Sequence, residues 1–177
     1  MRNLWRRRSR EPQPVPRRLP GVTQVNDWID AVAAGLCDHH REPEAAAARA
    51  CDALFTAATV AAVMVERGRP CPEYRAVHQR CLTGAIEFMK LLGEDTLRRH
   101  RVQTRTPLGW DELGPADAVT IAEHLTGLGE ALQIALCALT TDPRVSPDLR
   151  EVADVYGLPA AAVIVDSCFF IRADPAM

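Results

Sequence analysis

Aromatic residues are scarce in this sequence: three Trp, two Tyr and four Phe make up 5% of its 177 residues. A sheet core draws on β-branched and aromatic side chains, whereas alanine, present 27 times, is the best helix former and lets helices approach closely. The shortage therefore argues against a β fold and for packed helices. Lysine is nearly missing as well, Lys90 standing alone among 21 basic residues. So one-sided a bias suits a GC-rich coding sequence, and a bacterial source is the expectation.

The six cysteines are too few and too scattered for a disulfide scaffold, and no C-x2-4-C pair forms the knuckle of a structural zinc site. Arg6-Arg7-Arg8 resembles the opening of a twin-arginine leader, but Pro12, Pro14, Pro16 and Pro20 stand where its apolar segment should follow. The longest uncharged apolar run, residues 53–65, falls short of the roughly 20 residues that cross a bilayer. No transmembrane segment is expected from it, and a cytoplasmic protein with reduced thiols is. Serine nucleophile elbows, phosphate-cradling glycine loops, H-E-x-x-H motifs and Glu-x-x-His pairs are all missing. These absences lead away from the corresponding enzyme classes, and no cofactor is expected.

What is present begins with charge. The net charge of −2 hides an asymmetry: residues 1–20 carry seven arginines, Arg2, Arg6, Arg7, Arg8, Arg10, Arg17 and Arg18, against the single acid Glu11. This arm has a net charge of +6 and leaves the rest of the chain near −8. Rich in Arg and Pro and poor in apolar residues, residues 1–22 read as a disordered basic arm ahead of one helical domain, residues 23–177. A domain of that length buries about 70% of its unfolded surface, enough for a core without metals or disulfides.

Within the domain the apolar spacing predicts an all-α bundle of five to six helices. The first opens near Asn26 or Asp27 as N-cap and carries Val25, Trp28, Ile29, Val32 and Leu36. A second runs from Pro43 through the alanine stretch to Gly68, and a third from Pro72 to Gly93, with a short Arg-rich piece over 95–102. The fourth, opening at Pro115, repeats Ala118, Ile121, Leu125, Leu128, Leu132, Ala135 and Leu139 as a strict heptad and is the expected spine of the core. Two short helices, 147–156 and 159–172, follow, separated at Gly157. Gly84, Gly127 and Gly129 lie inside helices at a cost of roughly 1 kcal/mol each, which points to tight helix crossings there.

Five features bear on function. The arm arginines suit phosphates of nucleic acid or an anionic surface, with Trp5 among them to stack or to sit at an interface. Residues 149–172 contain Ala153, Gly157 and Val163 at the spacing of a helix-turn-helix unit, although the second helix offers little polar surface to a groove. Cys37, His39, His40 and Cys51, then Cys71, His78 and Cys81, gather metal-binding residue types, and a site across helices would use His78, Cys81 and His124. Tyr74, His78, Glu87 and His124 are the residues that would converge if a pocket lay between the third and fourth helices. Trp110, Phe169 and Phe170 are large apolar groups where a small bundle leaves surface uncovered, and the heptad seam would suit pairing with a second copy.

The leading expectation is a non-enzymatic interaction or regulatory protein that docks a protein partner or self-associates through helix faces while its arm contacts an anionic surface. A DNA-binding regulator using the arm and residues 149–172 is the first alternative. A helical bundle that binds metal or acts as an enzyme through Cys and His is the second.

Overall fold

The structure, a computed structural model, describes residues 21–37, 42–67, 71–100 and 110–173. Among them are five helices and no strand: α1 (Gly21–Leu36), α2 (Pro43–Arg67), α3 (Pro72–His100), α4 (Ala118–Thr141) and α5 (Pro147–Ala173). The all-α bundle read from composition is what forms. The arm, residues 1–20, lies outside the described residues, and so do His39 and His40.

α1 opens earlier than its expected N-cap. Val22 adds one more apolar position before Val25, Ile29, Val32 and Leu36, so packing draws the helix back to Gly21, inside the segment read as arm. Asn26 consequently sits in the helix interior, buried, and its Oδ1 has no hydrogen-bond partner among the described residues. α2 starts at Pro43, whose missing N–H costs nothing in a first turn. It is buried on most of its circumference, chiefly by alanines. α3 runs on to His100 but breaks at Gly93, whose φ of 74° and ψ of 161° no L side chain adopts comfortably, so glycine ends one helical piece and a second follows it.

Close contacts fix the directions. Cys51 Sγ lies 3.5 Å from the Ala85 carbonyl and His78 Nδ1 2.9 Å from that of Ala58, so α2 and α3 are antiparallel. A Cβ on Gly129 would meet Ile164 and Val165, and one on Gly157 would meet Leu136, so α4 and α5 are antiparallel too. The Tyr74 hydroxyl donates to the Ala118 carbonyl at 2.6 Å, which brings the beginnings of α3 and α4 together. α3 and α4 thus run the same way, and the long connection over 101–117 exists because the chain must return to the far end. α1 joins α2 by a short link, with Arg49 donating to the Gly35 carbonyl, and so runs parallel to α4.

α4 is the spine. Ile121, Leu125, Leu128, Leu132, Ala135 and Leu139 are all buried, and Ala118 is half-buried. Ala122, Gly129 and Leu136 are buried as well, widening the stripe beyond a two-position seam. That width lets α4 face α1 and α2 on one side and α5 on the other. The seam is therefore enclosed within the chain, which corrects the expectation that it pairs with a second copy. Each buried Leu or Ile contributes roughly 1.5–3 kcal/mol.

The two expected C-terminal helices are one. Ser146 caps α5, its side chain accepting from Leu149 N, and residues Ala153–Gly157 take π form between α-helical Pro147–Val152 and Leu158–Ala173. Pro159 has no N–H to donate and its ring crowds the carbonyl four residues back; the wider π turn absorbs both without ending the helix. Gly157 is there for proximity rather than for turning, since a Cβ on it would stand 2.9 Å from Leu136 Cδ2 and 3.2 Å from Phe88 Cε2.

Candidate docking surface

From Leu158 to Ala173, α5 is apolar around its whole circumference, with only Asp166 and Arg172 charged. A helix of that kind belongs in the interior of a larger body. Here α3 and α4 cover one side, burying Ala160, Ala161, Ile164, Ser167, Cys168 and Ile171. The outer side is left without a neighbour among the described residues. Phe169 and Phe170 are 63% and 58% exposed on it, touching edge to face with ring centroids 6.0 Å apart, and Asp166 is exposed as well, whereas Val163 lies against α3 and Val165 against α4. Val155 and Tyr156 extend the exposed apolar surface up to the π turn. An uncovered phenylalanine pair on an apolar helix is the most unusual surface among the described residues.

Of the three residues expected to offer an interface, the Phe pair is exposed and Trp110 is half-buried. Trp110 packs edge to face on Trp28, 5.7 Å between centroids, and closes the core beneath the turn before α4. The short 3-10 turns Trp110–Glu112 and Pro115–Asp117 set the ring against the core, and Leu113 between them is buried. Val155 and Tyr156 carry no such signal in the sequence, because Gly157 reads as the end of a helix; the helix instead continues through them, and both are exposed.

The helix-turn-helix reading of residues 149–172 fails on the same point. There is no turn at Gly157, and the helix that would enter a groove has its inner side packed on α3 and α4. Arg172 is the single base on Leu158–Ala173, too little positive charge to seat that helix against phosphates.

The Cys and His positions do not assemble. No group of three His, Cys, Asp or Glu able to hold a metal occurs among the described residues. His78 Nδ1–H donates to the Ala58 carbonyl, His124 Nδ1–H donates to Asp30 Oδ1 at 2.7 Å, and Cys81 is fully buried with its Sγ 4.0 Å from the Ala160 carbonyl. The set His78, Cys81 and His124 is thus divided among three different neighbouring helices. The pocket read for Tyr74, His78, Glu87 and His124 fails likewise, since Tyr74 is tied to Ala118 and Glu87 to Lys90. Burial pushes the thiols of Cys81 and Cys168 up to about 12, so neither is a thiolate near neutral pH. Cys137 is exposed and Cys168 buried, and all six cysteines are free.

By length and composition, α2 and α5 are each apolar enough to cross a membrane, so the shortness of the run 53–65 does not exclude such a segment. They differ in burial: 61% of the apolar window of α2 is enclosed by the bundle, against 39% for α5. The uncovered apolar surface is thus a property of α5. Comparison with protein-family models, curated proteins and solved structures returns no match, and the functional reading rests on this geometry.

Proposed function

We propose that the protein is a non-enzymatic docking protein that engages another surface through the outer face of α5, with its basic arm drawn to negative charge. The observation that carries this reading is the half-covered state of α5, enclosed on one side and exposing Phe169 and Phe170 away from it. Covering one exposed Phe contributes roughly 1.5–3 kcal/mol, and two adjacent ones give a compact anchor of the kind that dominates interfaces. The scattered hydrogen-bond commitments of His78, His124 and Cys81 speak for binding rather than catalysis.

A chain with no surface to dock on should cover this face with its own copy as concentration rises. Sedimentation from about one to about a hundred micromolar tests this by mass action. The expected result is a weight-average mass that climbs toward the dimer for the parent chain and stays monomeric for Phe169→Ser/Phe170→Ser, with helical circular dichroism unchanged. A parent that stays monomeric throughout, or a double variant that associates equally, contradicts the reading.

A further inference from the structure

The exposed residues of Leu158–Ala173 are Asp166, Phe169, Phe170, Arg172 and Ala173. Their charges are arranged about an aromatic centre. Asp166 and Arg172, the only charged residues of that stretch, stand three positions before and three after Phe169. On an α-helix the positions 166, 169 and 172 form a diagonal ridge, with the acid about 4.5 Å along the axis to one side of the ring and the base about 4.5 Å to the other. The two charges are about 120° apart around the helix, too far to neutralise one another. Neither makes an ion pair among the described residues.

We propose that this ridge pairs with the same ridge of a second copy about a two-fold axis at Phe169, Asp166 of each chain meeting Arg172 of the other on either flank of the Phe contact. The inference rests on the docking reading of α5 and names the partner and its orientation. A two-fold interface uses one patch on both chains, each turned end for end relative to the other. A ridge that runs acid, Phe, base then faces one that runs base, Phe, acid, so ring covers ring and each charge finds its opposite. The reverse orientation would set acid on acid and base on base. Ridges of this kind lie at about 45° to the helix axis, so aligning two of them makes the helices cross steeply. The contact is then confined to about two turns of each helix, the length of the exposed stretch from Asp166 to Ala173, and the dimer forms by mass action as concentration rises. A bilayer suits this face poorly, since Asp166 beside the rings would lose its water.

Sedimentation of the full chain with single charge reversals tests the pairing. Asp166→Arg leaves two bases on the ridge and Arg172→Glu leaves two acids, so each variant alone should self-associate about tenfold more weakly than the parent. Mixed together they restore both pairs, and the mixture should reach the dimer mass at concentrations where each variant alone stays monomeric. Asp166→Arg/Arg172→Glu in one chain should associate like the parent. All these substitutions are at exposed positions, and unchanged circular dichroism certifies their folding. Recovery in the mixture separates lost pairing from damage to the fold. Single variants that associate as tightly as the parent overturn this register, and so do weakened ones that the mixture fails to rescue. If Phe169→Ser/Phe170→Ser still abolishes association in either case, the docking reading stands without it. A parent that stays monomeric overturns the two together.

Discussion

Two glycines two residues apart on α4 give a sharp test of the packing. In a helix interior, replacing Gly by Ala removes a backbone-entropy penalty of roughly 1 kcal/mol, and Gly127 and Gly129 share that gain. They differ in what a methyl group would meet. A Cβ on Gly127 has nothing within 4 Å, whereas one on Gly129 would stand 2.9 Å from Val165 Cγ2, 3.0 Å from Ile164 Cγ2 and 3.1 Å from Ile164 Cβ. Val and Ile are stiff about χ1, and a Cβ moves only with its backbone, so α5 itself must shift to relieve the clash. Overpacking of this kind costs about 1–3 kcal/mol. Gly127→Ala should therefore stabilise by about 1 kcal/mol, while Gly129→Ala should come out between neutral and about 2 kcal/mol destabilised, a gap of about 1–3 kcal/mol. For a chain of this size each kcal/mol moves the midpoint by roughly 2–4 °C, so thermal unfolding followed by circular dichroism resolves the pair. Equal stabilisation by both substitutions would refute the close α4–α5 crossing, and with it the position of the outer face of α5.

Other predictions concern buried thiols and the turn before α5. Cys81 and Cys168 ionise near 9.0 in an unfolded chain and near 12 in the fold, because burial disfavours their charged forms. Their contribution to stability is fully present below pH 9 and is lost as pH rises from about 9 to about 12, the unfolded state shedding protons first. Urea melts on either side of pH 9 should show this fall, and Cys81→Ala/Cys168→Ala should make it shallower, with Tyr74 and Cys71, which burial also pushes up, keeping part of it; a fall of the same steepness in that variant would assign the effect elsewhere. Arg150 donates to the Val145 carbonyl from Nε at 3.1 Å and from Nη2 at 2.9 Å, and reaches the Pro143 carbonyl at 3.4 Å. Arg150→Ala should cost roughly 1.5–3 kcal/mol in denaturant melts by freeing the turn between α4 and α5, and no loss would mean that solvent serves those carbonyls equally well.

Helices were readable in the sequence where one periodicity decided the matter. The heptad from Ala118 to Leu139 locates α4, and the proline-led starts at Pro43 and Pro72 locate α2 and α3. Local pattern misleads where a residue has two physical uses. Gly157 serves as a close-approach position against Leu136 and not as a turn, and Pro159 is absorbed by a π turn instead of ending a helix. Asn26, a good N-cap by type, is overridden by Val22, which one more turn of helix places on the apolar stripe. Both heptad positions and their neighbours are apolar on α4, so the pattern alone does not separate a seam open to a copy from one closed by α5. The Phe pair was visible as large apolar residues near the end of the chain; that one side of α5 stays uncovered depends on the number of helices that pack around it, which no local pattern encodes.

The measurement that bears most directly on the docking reading is hydroxyl-radical footprinting of the phenylalanines, with Phe88, fully buried, as the internal reference. In dilute protein Phe169 and Phe170 should be oxidised several-fold faster than Phe88, and both should be protected together when the chain self-associates. Slow oxidation matching Phe88 in the dilute monomer, or rates at Phe169 and Phe170 that do not change in the associated state, would contradict a docking face on α5.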